Sequence, residues 1–254
     1  LALDSNAIAD ISALADLRSL ESLNLSWNRL TDLSALNELA RLQQLNVDGD
    51  RVSDLRGLTG LKRLRTLGAT RCGLVSLEGL ETCAAVERLD LQENWITSVE
   101  PLAGLTRLGY LDLVGSFVHD ITPLRNLVGL TWLRLDGNRL ASIEPLSSLV
   151  NLQELHLSAT ATVDVSPLGS LRLLRALDLF GNPVADISPL ASLPSLDILN
   201  LGRTSVNNVQ PIAAAGALPK LKWINLWWTH LDPAEGSDDN KDLAALRARG
   251  VNVR

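Results

Sequence analysis

The chain has 254 residues, of which 46% are apolar and 4% aromatic, and its formal net charge is −6. This length can bury one large core or support one repeat array. The acidic balance argues against nucleic acid as a partner, and no apolar run approaches the roughly 18 residues of a membrane span, so membrane insertion is excluded.

A pattern of 22 residues recurs along almost the whole chain, with the form L-x-x-L-x-L-x-x-N-x-I/L-x-x-I/L-x-x-L-x-x-L-x-x. An incomplete unit opens the chain, with Leu1 and Leu3 in register with Leu23 and Leu25. Full units begin at Leu20, Leu42, Leu64, Val86, Leu108, Leu130, Leu152, Leu174, Leu196 and Leu221. One such unit cannot close a core but stacked units can, so the period predicts a solenoid.

The two halves of each unit predict different structures. Repeat positions are numbered from the first leucine, so that Leu20 is position 1. Leu23 and Leu25 alternate with polar residues, which predicts a short half-buried strand. In the second half the apolar residues recur every three positions, from Leu30 to Leu39, which suits a 3₁₀ or irregular return segment. We therefore expect an α/β repeat fold, a right-handed solenoid with a concave parallel sheet and a convex return side.

Position 9 predicts a buried polar ladder. It holds Asn in five units, and a short buried polar side chain must bond to the neighbouring turn backbone. Cys72 occupies a ladder position and Cys83 a core leucine position, so we expect two buried thiols and no disulfide between them. From Pro101 onward a proline precedes the inward residue of each return segment, where its missing N–H is not needed.

The carboxyl-terminal residues leave the repeat. We expect the repeat array to occupy residues 1–231 and a cap to occupy 232–254. Asp238, Asp239 or Asn240 is the predicted N-cap of a helix over about 240–249. Gly250 would end this helix, and a short final strand would follow at 251–253.

These units resemble the SDS22-like class of leucine-rich repeats, which bacterial internalins and a eukaryotic phosphatase-1 regulator carry. The segments 130–151 and 174–195 are especially similar to it, and the resemblance covers nearly the whole chain. It implies a curved solenoid that binds proteins on its concave sheet. The scaffold does not define the partner. The absence of an initiating Met indicates a fragment or processed form, and we lean toward a bacterial secreted or cell-surface origin, with the cytoplasm left open.

The binding surface is predicted from strand geometry. Positions 3, 5 and 7 of each repeat, here called the strand face, point away from the core leucines. Position 2 lies at the strand flank, and positions 8 and 10 form the adjoining edge loop. All nine aromatic residues fall on these positions, and exposed aromatics are typical of binding hot spots. Stacking of aromatics between adjacent coils, as for Trp95 with Phe117 or near the cap, is the alternative. The predicted partner-binding residues are Tyr110, Asp112, Trp132, Arg134, His156, Phe180, Trp223 and Trp227.

No motif predicts catalysis, a metal or a cofactor. The chain lacks phosphate-binding, nucleophile-elbow and zinc-binding motifs, and a cation site at Asp90, Asp112 and Asp136 is a weaker alternative to a partner surface. We expect no enzyme activity, no cofactor and a monomer that binds a protein. A glycan-binding adhesin and a regulatory subunit that holds an enzyme remain open alternatives.

Overall fold

The computed structural model describes all 254 residues. Its elements are short and recur once per repeat. The strands are β1 (Ser22–Asn24), β2 (Gln44–Asn46), β3 (Thr66–Gly68), β4 (Arg88–Asp90), β5 (Tyr110–Asp112), β6 (Trp132–Arg134), β7 (Glu154–His156), β8 (Ala176–Asp178), β9 (Ile198–Asn200), β10 (Trp223–Asn225) and β11 (Asn252–Val253). The two α-helices are α1 (Gln210–Ala213) and α2 (Asp238–Ala248).

The chain divides into two compact units, Leu1–Leu130 and Thr131–Arg254. In the first unit, β1 to β5 pair in chain order and in parallel, each residue opposite the one 22 positions later. The incomplete opening repeat adds one parallel bridge, from Ala2 to Asn24. In the second unit, β6 to β11 pair in the same parallel order. This register stacks equivalent repeat positions on one another.

The core consists of aliphatic side chains from every repeat. The position 4 and position 6 residues, such as Leu89 and Leu91, are fully buried, and no aromatic side chain is among the buried residues. The parallel strands and the leucine core confirm the predicted leucine-rich-repeat solenoid. Neither α-helix has the length and apolar character needed to cross a lipid bilayer.

The return segments contain the expected 3₁₀ helices. These are Ser12–Leu14, Ser34–Leu36, Arg56–Leu58, Leu80–Thr82, Glu100–Leu102, Thr122–Asn126, Glu144–Ser148, Ser166–Ser170 and Ser188–Ser192. From Pro101 onward the predicted prolines lie in the first turn of each helix, where a missing N–H costs no hydrogen bond.

A feature that sequence analysis missed precedes each of these helices. The side chain at position 13 accepts a hydrogen bond from the backbone N–H two residues later, which fixes the turn into the return segment. The residues are Asp10, Asp32, Asp54, Ser76, Ser98, Asp120, Ser142, Asp164, Asp186 and Asn208.

The position 9 ladder is present as predicted. Asn94 is fully buried, and its Nδ2 donates to the carbonyls of Ala69 and Leu91 at 2.7 and 2.9 Å. Its Oδ1 accepts from the backbone N–H of Cys72 and Leu74, both at 3.0 Å. Asn28, Asn94 and Asn182 join consecutive repeats in this way, whereas Asn6, in the incomplete opening repeat, is exposed and bonds only to Leu3 and Asp4. The two cysteines are free and buried, as the sequence predicted.

The residue before the ladder, at position 8, adopts left-handed backbone geometry. Glycine fills it in four repeats and Trp27, at φ 57°, and Trp228, at φ 56°, in two others. The left-handed turn directs position 9 back into the core. A bulky side chain there costs roughly 1 kcal/mol relative to glycine.

The carboxyl-terminal helix differs in its start from the prediction. Its N-cap is Ser237, whose hydroxyl accepts the N–H of Asn240 at 3.0 Å, so the predicted caps Asp238, Asp239 and Asn240 are wrong. Asp238 and Asp239 instead occupy the first turn, where a carboxylate is favoured by the helix dipole. Arg249 joins this helix to the preceding repeat by donating to the carbonyl of Ile212 at 2.9 Å. The boundary between array and cap at 231/232 remains a proposal.

Candidate functional site

On the strand face of the first unit, Tyr110 is held by its neighbours. The Cζ atom of Arg88 lies 3.4 Å from the centre of the Tyr110 ring. The same guanidinium donates to both carboxylate oxygens of Asp90, at 2.9 and 3.1 Å. Burial, followed by the negative charge of Asp90, raises the pKa of Tyr110 to about 12. The half-buried phenol therefore stays neutral and presents a fixed hydroxyl and ring edge.

Asp112, predicted as a contact residue, is fully buried. Its Oδ1 accepts the backbone N–H of Val114 at 3.1 Å. This carboxylate fixes the strand end through that hydrogen bond and does not lie on the accessible surface.

In the second unit, Trp132 forms the centre of a polar cluster. Its indole N–H donates to Glu154 Oε2 at 3.0 Å, and its ring centre is 5.9 Å from that of His156. The Cζ atom of Arg134 is 5.7 Å from the same ring, while its Nε bonds to Asp136 at 3.2 Å. These contacts hold a large aromatic ring in one orientation on a half-exposed surface.

Farther along the same unit, aromatic residues gather around one arginine. The Cζ atom of Arg203 lies 4.6 Å from the Trp228 ring and 5.8 Å from the Phe180 ring. Trp227 and Trp228 meet edge to face with ring centres 6.1 Å apart. The predicted residue Trp223 is half-buried at the start of β10. The second unit therefore brings Phe180 and Trp228 to the same arginine, with Trp227 against Trp228. Trp132, Arg134 and His156 form a separate cluster.

The edge loop exposes further aromatic rings. Trp95 is 63% and Phe117 64% exposed, and no ring contact joins them, so the predicted alternative of stacking is absent for this pair. Trp27 is 56% exposed and lies over Gly49, where a Cβ atom would approach the indole within 2.5 Å. Glycine at position 49 is thus required by the position of Trp27.

The chemistry of the described side chains is that of recognition. The thiol of Cys72 is protonated, because burial raises its pKa to about 12, and burial likewise raises the pKa of Cys83. The carboxylates of Asp90 and Asp136 are engaged by arginines. No group of three His, Cys, Asp or Glu side chains is placed to hold a metal ion.

Sequence analysis did not select three residues that the structure places in these clusters, namely Glu154, Arg203 and Trp228. Glu154 lies opposite Trp132 in the strand register. Both residues are at position 3 of consecutive repeats, so the 22-residue period contained this signal. Arg203 and Trp228 share position 8 in the same way.

Comparison with known proteins agrees with this architecture. A family model described as a leucine-rich repeat matches residues 16–36, and no curated protein matches the chain. An internalin from Listeria monocytogenes is similar in structure with a TM-score of 0.88 and 26% identity, covering 99% of this chain and 78% of the internalin. An internalin C2 from the same organism has 26% identity and a TM-score of 0.51, covering 91% of this chain and 79% of that protein.

A more distant structure shares the fold. It is the leucine-rich-repeat ectodomain of the membrane receptor kinase GASSHO1/SCHENGEN3 from Arabidopsis thaliana, in complex with CASPARIAN STRIP INTEGRITY FACTOR 2. The TM-score is 0.71 at 20% identity, covering 91% of this chain and 36% of the ectodomain. Leucine-rich-repeat proteins are generally scaffolds for protein interaction, and the comparisons indicate no catalytic family. The repeat match, the parallel strands and these structural relatives together show that the chain has the leucine-rich-repeat fold.

Proposed function

We propose that this protein is a non-catalytic scaffold that binds a protein partner on its strand face. The observation that carries the proposal is the placement of the aromatic residues. None of the nine is buried: four are half-buried on the strand face, and five are more than half exposed, namely Trp227 on the strand face and Trp27, Trp95, Phe117 and Trp228 on the adjoining edge loop. Exposure of large apolar rings is unfavourable in water, so a set of this size favours a contact surface.

The contact residues proposed in the first unit centre on Tyr110, with Asp112 fixing the end of β5. In the second unit they are Trp132, Arg134, His156, Phe180, Trp223 and Trp227. Trp132 is already oriented by Glu154 and Arg134. Because a ring held in place loses little conformational entropy on binding, this arrangement suits a hot spot.

The relationship of this chain to one class of leucine-rich-repeat proteins is also a proposal. The 22-residue pattern and the 26% identity to an internalin over 99% of this chain support an SDS22-like, internalin-like protein. We accordingly propose a bacterial protein that is secreted or held at the cell surface, acts in adhesion as a monomer, and needs no cofactor.

The test is a capture experiment on the native source with immobilised wild-type protein and two variants, Trp132→Ala and Tyr110→Ala. Truncation of a hot-spot ring should weaken capture of a specific partner by roughly thirtyfold or more, because such residues contribute about 2 kcal/mol. Val163→Ala is the matched control, since Val163 is apolar and 63% exposed in a return segment of the second unit. A partner captured equally by all four proteins would show that the strand face is not the binding surface.

Two further measurements separate the alternatives. A glycan array that shows binding lost in Trp132→Ala, with no protein captured, would replace the protein partner with a sugar. Co-purification of an enzyme whose activity changes on release would identify a regulatory subunit.

A further inference from the structure

The guanidinium of Arg203 is unusual among the arginines near the strand face. Its Cζ atom lies near two aromatic rings, 4.6 Å from the centre of the Trp228 ring and 5.8 Å from that of Phe180. No carboxylate lies within ion-pair distance, and the side chain makes no hydrogen bond within the protein. By contrast, Arg88 and Arg134 are each paired with an aspartate two residues later.

The space beside Arg203 is shaped by its neighbours. At Gly202, a Cβ atom would come within 2.9 Å of the Phe180 ring and 2.6 Å of Asn225 Nδ2. Absence of a side chain there lets the Phe180 ring lie beside the arginine. Contact with two rings restricts the guanidinium. Because Arg203 is exposed and its N–H groups have no acceptor within the protein, they are available to bind a carboxylate through two parallel hydrogen bonds.

The repeat supplies an internal comparison at position 8. Arg71 holds this position in the first unit, and the position 8 residue of the next repeat is Glu93. Arg71 donates to both oxygens of Glu93, at 2.7 and 2.6 Å. Arg203 holds the same position in its own repeat, but Trp228 replaces the glutamate. The carboxylate that neutralises Arg71 therefore has no counterpart at Arg203.

We infer that Arg203 is a recognition site for an acidic side chain of a protein partner, which supplies the carboxylate that this repeat lacks. The inference rests on the proposed function and adds the chemistry of the contact. Trp228 contacts the arginine, Trp227 meets Trp228 edge to face, and the two are 66% and 56% exposed. Their rings suit an apolar residue adjacent to the acidic one, so the fitted element is an Asp or Glu beside a large apolar residue in a peptide segment.

The probe is a displayed library of random dodecapeptides, selected on the wild-type protein at low salt. Peptides retained by the protein should be enriched in Asp or Glu next to an apolar residue. Arg203→Gln should weaken binding of these peptides by about tenfold to a hundredfold, because each hydrogen bond to a charged group is strong. Arg71→Gln is the matched control and should change binding by less than twofold, since Glu93 already occupies the Arg71 guanidinium. Both arginines are exposed, so neither change threatens folding.

The outcomes separate the site from the proposed function. Peptides that need Trp132 but lack acidic residues, or acidic peptides that bind Arg203→Gln as tightly as wild type, would overturn the Arg203 site and leave the strand-face proposal standing. A selection in which no peptide is retained would count against both the Arg203 site and the strand-face proposal. Binding of sialylated glycans that depends on Arg203, in the absence of acidic peptides, would assign the carboxylate to a sugar and overturn the peptide inference.

Discussion

Asp50 occupies a ladder position where an asparagine would form better hydrogen bonds. In Asn94 the amide Nδ2 donates to the carbonyls 25 and 3 residues earlier. In Asp50 the corresponding atom is the carboxylate Oδ2, which is buried and has no partner, while Oδ1 accepts the N–H of Leu30 at 2.9 Å. The equivalent carbonyls belong to Leu25 and Val47, and an ionised Oδ2 cannot donate to them.

Replacement of Asp50 by Asn should therefore stabilise the protein. The new amide can donate to both carbonyls, and the cost of an unsatisfied buried oxygen disappears. Since such a group costs about 1–3 kcal/mol, we expect the free energy of unfolding at pH 7 to rise by about 2 kcal/mol. Asn94→Asp is the reciprocal variant and should lower it by a similar amount.

The pH dependence gives a second, independent readout. Burial raises the pKa of Asp50, so the folded protein keeps this proton to higher pH than the unfolded chain does. Its contribution to stability is fully present below the unfolded pKa of about 3.9 and is lost as pH rises through the folded pKa. Urea unfolding of both proteins from pH 4 to pH 7 should show the Asp50→Asn advantage growing with pH. An advantage that is absent at pH 7, or that does not change with pH, would refute the assignment of a buried, unsatisfied carboxyl with a raised pKa at position 50.

Three further predictions concern the scaffold. Ala159 has a φ of 53°, so Ala159→Gly should raise the free energy of unfolding by about 0.5–1 kcal/mol in urea; a loss would show that the left-handed turn is not strained. Asn182→Ala should lower the free energy of unfolding by about 3 kcal/mol, because two carbonyls and two amides lose their partner. Asn6→Ala is the control at an exposed position and should lower the free energy of unfolding by less than about 1 kcal/mol. A hydrogen bond from the Ser188 amide lowers the pKa of Asp186. The stability that Asp186 contributes should therefore be present above its pKa in the unfolded chain and be lost as pH falls through its pKa in the folded protein. Asp186→Asn should accordingly make the loss of structure at acid pH, monitored by circular dichroism, less steep.

The sequence predicted those features that depend on position within the repeat. Burial of Leu89 or Asn94 follows from period alone, because every unit places the same position against the same neighbours. The Trp132–Glu154 hydrogen bond also joins equivalent positions of consecutive repeats, so the period contains its signal too. Features that depend on side-chain conformation could not be obtained in this way. The burial of Asp112, for example, requires knowledge of how the surrounding side chains cover position 5.

The start of α2 shows a different limit. Four consecutive residues from Ser237 to Asn240 are all good N-caps, so the local sequence does not distinguish among them. The choice of Ser237 leaves Asp238 and Asp239 in the first turn, where the helix dipole favours acidic side chains. The N-cap preference of each single residue is therefore outweighed by the combined stabilisation from the Ser237 cap and the two acidic residues in the first turn.

Trp228 decides whether the exposed aromatics support the coils or bind a partner. Glycine would relieve its left-handed backbone, at φ 56°, by roughly 1 kcal/mol. It would also remove the ring contacts with Trp227 and Arg203, worth about 0.5–1 kcal/mol each at exposed sites. Because these effects nearly cancel, Trp228→Gly should leave the free energy of unfolding within about 1 kcal/mol of wild type while weakening binding of the selected acidic peptides. A loss of stability above about 2 kcal/mol with unchanged peptide binding would assign the ring to coil support.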